Sequence, residues 1–96
     1  MLFMVEMEVV VPHDVDRDHF EALKAEEKVR AQTLQKAGTW RHLWRVAGQY
    51  ANVSIFDAQS VDDLHEILLG LPLFPFMKTK VTALCRHPSS IYDDDR

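Results

Sequence analysis

The stretch from Gly38 to Asp57 constrains this chain more than any other. Two runs of aromatic and β-branched residues flank Ala47-Gly48-Gln49, and that pattern predicts a β-hairpin reversed at a glycine-marked turn. With a turn of two or four residues, Arg41, Leu43, Arg45, Tyr50, Asn52, Ser54 and Phe56 share one face. Trp40, His42, Trp44, Val46, Ala51, Val53 and Ile55 then share the other. A three-residue turn would flip one strand against its partner. The first face carries two guanidiniums, a phenol, an amide and a hydroxyl, groups that need water or a ligand to pair with. A site is expected there.

The remaining chain supplies the partners such a hairpin needs. Residues 2 to 11 alternate, with Phe3, Val5, Met7, Val9 and Val11 on one side, so a first strand is expected up to Pro12. Asp14 and Asp16 are candidate caps for a helix running to about Ala37 and stopping at Gly38. Phe20, Leu23, Ala31 and Leu34 form its apolar stripe, and Glu27 falls in the middle of that stripe. A carboxylate aimed at a core is costly unless it is paired or used. Lys24 or an arginine of the hairpin could pair it. Lys28, with Glu21, Glu26, Arg30 and Lys36, reads as a solvated face, while Ala22, Ala25 and Val29 form a weaker stripe suited to a subunit contact.

Ser60-Val61-Asp62-Asp63 has the form of a capping box, and Val61, Leu64, Ile67 and Leu68 give the stripe of a second helix ending at Gly70. The prolines in Leu71-Pro72-Leu73-Phe74-Pro75-Phe76 forbid helix continuation, so an apolar loop is expected there. Alternation from Met77 to Leu84 predicts a last strand, and residues 85–96 form an aperiodic tail suited to packing on a neighbouring subunit.

Strand, helix, strand, strand, helix, strand is the α+β, ferredoxin-like (βαββαβ) plan: a four-stranded antiparallel sheet with both helices on one face. The whole chain, 1–96, reads as a single domain of that type. The uncovered face keeps large apolar residues, so packing on a second sheet in a dimeric α/β-barrel manner is expected. A net charge of -4 argues against nucleic acid or an anionic membrane as partner. No signal peptide or transmembrane span is expected. The single cysteine, Cys85, excludes an internal disulfide framework, fits a reducing compartment and reads as a small buried hydrophobe. His42, His65, His87 and Cys85 lack metal-ligand spacing apart from the pair Cys85 and His87, so no metal site is expected.

Taken together, five segments resemble muconolactone delta-isomerases. They are Lys24-Ala25-Glu26-Glu27-Lys28, Gly38-Thr39-Trp40-Arg41-His42-Leu43-Trp44-Arg45, Tyr50-Ala51-Asn52, Leu71-Pro72-Leu73-Phe74-Pro75 and Cys85-Arg86-His87-Pro88-Ser89-Ser90. The likeness spans essentially the whole chain, to Asp94-Asp95-Arg96. It implies a cytoplasmic enzyme of catechol degradation, the β-ketoadipate pathway, acting on a small lactone without cofactor or metal and assembled as a homo-oligomer, a decamer. Tyr50 and Asn52 match the isomerase type at positions where the related chloromuconolactone dehalogenases differ.

The reaction so implied needs a base of raised pKa, a donor for an oxyanion and a cation for the substrate carboxylate. Glu27 suits the first role, because its apolar stripe supplies the desolvation. Tyr50 and Asn52 suit the second, with His42 an alternative should the hairpin register differ. Lys24, Arg41 and Arg45 are candidates for the third, as is Arg86 from another subunit. Trp40, Trp44, Phe74 and Phe76 read as walls and core. Rival readings are a lactone dehalogenase, a small cofactor-free monooxygenase or a ligand-binding module of the same fold; the last leaves Glu27 without a task.

Overall fold

A computed structural model describes residues 1–93; the terminal Asp94, Asp95 and Arg96 lie outside the described residues. In chain order the elements are β1 (Leu2–Val9), α1 (Arg17–Lys36), β2 (Trp40–Arg45), β3 (Ala51–Asp57), α2 (Val61–Leu69), one 3₁₀ turn (Phe74–Phe76) and β4 (Met77–Leu84). The four strands make one sheet in the order β2-β3-β1-β4, every neighbouring pair antiparallel. The sheet is open, with β2 and β4 as edges, so no barrel closes within the described residues.

The ends of the elements follow from local chemistry. Of the two candidate caps, Asp16 is the one used: its carboxylate accepts from the Asp18 N–H at 3.1 Å. Beyond Ala37, Gly38 takes φ +81°, and the Thr39 N–H returns to the Leu34 carbonyl at 3.0 Å. That reversal delivers Trp40 from the end of α1 directly onto the sheet. Ser60 Oγ accepts from the Asp63 N–H at 3.0 Å, while the Asp63 carboxylate accepts from the Gln59 N–H at 2.9 Å. The return bond thus comes from the residue before the cap. β1 stops at Val9 rather than Val11 because its partners run out: Glu8 faces the first residue of β3 and Val9 the first residue of β4.

The core lies between the sheet and the two helices. Phe3, Val5 and Met7 of β1, Phe56 of β3, Ala31 and Leu34 of α1, and Leu64 and Leu68 of α2 are all buried there. Each of the larger side chains contributes roughly 1.5–3 kcal/mol by leaving water. Trp40 closes one end of this core, its ring 4.7 Å from that of Phe56. At the other end Phe20 meets Phe76 edge to face at 5.3 Å.

The hairpin departs from strict alternation in one place. The turn is the four residues Ala47–Tyr50, closed by the Val46 N–H on the Ala51 carbonyl, with Gly48 at φ +79°. Leu43 pairs with Ser54 and Arg45 with Asn52, as a four-residue turn requires. Trp40, however, pairs with Phe56 while His42 pairs with Ile55, so Arg41 is an extra residue in a bulge. The bulge moves Trp40 to the helix-side face with Leu43 and Arg45. Arg41 joins His42 on the opposite face, where both line a depression with Leu2 and Ile55. The expected grouping of Arg41 with Leu43, and of Trp40 with Trp44, is therefore corrected by one residue of register.

Cys85 also differs from expectation. It is exposed, because it follows the end of an edge strand and nothing in the described residues covers it. The tail beyond it folds on itself: Arg86 donates to the Ser90 and Tyr92 carbonyls at 2.9 and 3.2 Å and pairs with Asp93 at 3.2 Å.

Candidate active site

A cavity of about 450 Å³ opens between α1 and the hairpin, within the size range of small-molecule sites. Lys24, Glu27, Lys28, Ala31, Gln32 and Gln35 line it from α1, and Trp40, Leu43, Arg45, Tyr50 and Asn52 from the hairpin. Leu73 and Met77 close the far wall.

Glu27 is half-buried in this wall. Its Oε1 accepts from the Leu73 N–H at 2.9 Å, whereas Oε2 is buried with no hydrogen-bond partner among the described residues. Among the described residues Glu27 shows no ion pair of the kind anticipated with Lys24 or a hairpin arginine. Lys24 turns to Glu21 at 3.1 Å, and its ammonium lies 5.9 Å from the centre of the Phe20 ring. The proline-bearing loop takes the partner's place: Leu73 caps the start of the 3₁₀ turn, so its N–H is not used by that turn and donates to the carboxylate. Burial pushes the Glu27 carboxyl above the ordinary glutamate range, and the Leu73 N–H opposes the shift only in part. A carboxylate with one oxygen anchored and the other unpaired is arranged to accept a proton.

Opposite the helix, Asn52 is half-buried on β3 and Tyr50 stands at the end of the turn. The Arg45 guanidinium stacks 5.5 Å from the Tyr50 ring centre and reaches the Gln49 carbonyl at 3.5 Å. Trp40 is only 3% exposed and its indole N–H has no acceptor among the described residues, a second unpaired buried polar group lining the cavity.

Among the residues singled out from sequence, the fold thus gathers Glu27, Tyr50, Asn52, Lys24 and Arg45 around one cavity. It leaves Arg41 and His42 across the sheet, in a separate depression of about 380 Å³ with Arg86 and His87. Lys28 was not foreseen. It reads as solvated, yet with Lys24 and Gln32 it forms an i, i+4, i+8 row along the margin of the Glu27 stripe, a spacing that marks one helix flank. Among the described residues no three His, Cys, Asp or Glu side chains group as a metal site, and no helix is long and apolar enough to cross a membrane.

The comparisons with known proteins agree with this geometry. The family model described as muconolactone delta-isomerase matches residues 1–90. The muconolactone delta-isomerase of Pseudomonas aeruginosa is 59% identical over 96 residues, covering all of both chains. Muconolactone delta-isomerase 2 of Acinetobacter lwoffii is 57% identical, again over the full length of both. A crystal structure of muconolactone isomerase superposes with a TM-score of 0.94 at 59% identity, covering 100% of each chain. A match over nearly the whole sequence, with the fold and cavity to accompany it, means that this chain belongs to the muconolactone delta-isomerase family.

Proposed function

We propose that the protein converts muconolactone to the 3-oxoadipate enol-lactone, with Glu27 as the single base, in the catechol branch of the β-ketoadipate pathway. The observation that carries this reading is the Glu27 carboxylate, anchored at Oε1 and unpaired at Oε2, in a cavity that also holds Tyr50 and Asn52.

Glu27 Oε2 takes the proton from the ring carbon that bears the acetate arm. As that C–H bond breaks and the O–H bond forms, the electron pair spreads through the ring to the lactone carbonyl oxygen, giving a dienolate. Asn52 and Tyr50 donate to that oxygen, and donors so placed act most strongly where water is excluded. The same carboxyl then returns its proton to the carbon beside the carbonyl, and the double bond is left at the acetate-bearing carbon. A raised pKa helps both halves, because Glu27 is strong enough as a base to take the proton and weak enough to give it back. Lys28 and Arg45, both exposed at the cavity, suit the acetate carboxylate, and Lys24 is a third cation in reach of it. A substrate oxygen would also pair the Trp40 indole N–H.

The oligomer and its location belong to the same reading. Leu2, Met4, Val53, Ile55 and Leu84 lie on the sheet face away from the helices, and Trp44 beside them is 67% exposed. Burial of that face against a second sheet, with the 85–96 tail on a neighbour, suits a homo-oligomer, and a decamer is the assembly proposed. The compartment proposed is the cytoplasm.

Turnover of muconolactone by the purified protein, with chelator present and products followed by proton NMR, tests the reading. Formation of the enol-lactone is the expected result. Saturable lactone binding without turnover would overturn it in favour of a binding module, and faster chloride release from a chlorinated lactone would favour a dehalogenase.

A further inference from the structure

Ser54 is fully buried on β3, facing Val5 on one side and Leu43 on the other. A hydroxyl in such a wall costs free energy unless it is paired. Its Oγ donates to Asn52 Oδ1 at 2.8 Å, and neither side chain has another hydrogen bond among the described residues. The two residues lie two apart on one strand, so their side chains stand on the same face by the pleat of the sheet.

That bond decides which end of the Asn52 amide faces the cavity. Among the described residues the serine proton has one acceptor, Asn52 Oδ1. If the amide were turned to bring Nδ2 to Ser54, the hydroxyl would become the acceptor and its own proton would be buried without a partner. With Oδ1 held by Ser54, Nδ2 is the end left for the cavity, and no protein acceptor among the described residues takes its protons. An amide oxygen aimed at a developing oxyanion would repel it; an amide N–H₂ attracts it.

We infer that Ser54 is a positioning residue, which locks Asn52 with its N–H₂ toward the lactone carbonyl oxygen and so makes it a donor rather than an acceptor. The inference rests on the isomerase reading above and adds to it a residue that does not line the cavity.

The test is a double-mutant cycle on kcat and KM with muconolactone, using wild type, Ser54→Ala, Asn52→Ala and the double variant, each with its melting temperature. Ser54→Ala removes one buried oxygen and leaves no cavity of note, so the fold is retained. It is expected to lower kcat by about ten-fold, less than the ~10²–10³ expected for Asn52→Ala. KM should stay within about two-fold, because the donor acts on charge that develops after binding. In the Asn52→Ala background the same serine change should leave kcat unaltered. An equal kcat loss in both backgrounds, or none in either, would overturn the positioning role while leaving the isomerase reading intact. A wild-type protein without turnover would overturn the isomerase reading, and the inference with it.

Discussion

The two sides of the sheet offer a natural comparison. On the helix side, the cavity of about 450 Å³ gathers a half-buried carboxylate, an oriented amide, a phenol and three cations. On the bare side, the depression of about 380 Å³ holds Arg41, His42, Arg86 and His87, but among the described residues its lining includes no carboxylate and no buried polar side chain. Both have positive charge, yet only one has a base placed in an apolar wall. The difference teaches that chemistry here follows desolvation rather than charge. It also turns on one residue: without the bulge at Arg41, strict alternation would have put Arg41 with Leu43 and Arg45 and sent Trp40 to the other face.

The most severe test of the comparison is Glu27→Gln. The amide keeps an acceptor for the Leu73 N–H but cannot take a proton. Turnover should fall by ~10²–10⁴, read as kcat in a direct assay, with KM little changed. Stability should move the other way. Because burial raises the folded-state pKa of Glu27, the folded form binds more protons than the unfolded form between the two values. The contribution of Glu27 to stability is then fullest at low pH and is lost as pH rises through the folded pKa. Gln removes that decline, so the variant should melt at or above the wild-type temperature at neutral pH. A lower melting temperature with normal turnover would make Glu27 a structural carboxylate.

Smaller effects separate the donors. Asn52→Ala should cost ~10²–10³ in kcat. Tyr50→Phe should cost less, because the phenol is 40% exposed and water can replace part of what it gives. An unchanged kcat in both variants would mean that neither stabilises the dienolate.

The cations should act on binding. Lys28→Ala or Arg45→Ala is expected to raise KM by about ten-fold while kcat is kept, as for loss of one hydrogen bond to a charged group. Across the sheet, Arg41→Ala and His42→Ala should leave both constants within about two-fold, the range of ordinary surface changes. A large KM rise for Arg41→Ala would break the comparison by bringing the bare face into the chemistry.

Much of this was legible in the sequence. Period-two and period-3.6 patterns, with Asp16, Gly38 and Ser60 as caps, gave the element order. Glu27 stood out because a carboxylate in an apolar stripe contradicts the pattern around it. What stayed hidden depended on distant pairing. The bulge is settled by how β2 meets β3 after Gly38 releases the chain, which no local signal at Arg41 announces. The partner of Glu27 is a backbone N–H 46 residues away, and backbone groups carry no sequence signature. Lys28 lines a cavity only because the hairpin stands opposite its flank of α1, and Cys85 is exposed only because an edge strand ends beside it.

The measurement that tests the central claim most directly is the pH dependence of kcat/KM for the wild-type protein, from about pH 4 to about pH 9. A desolvated Glu27 acting as base predicts a rate that rises with pH, with its midpoint above the ordinary glutamate range, and then a plateau. A rate that is flat through that region, or already at its plateau where ordinary carboxylates titrate, would contradict the claim that burial tunes Glu27 for proton transfer.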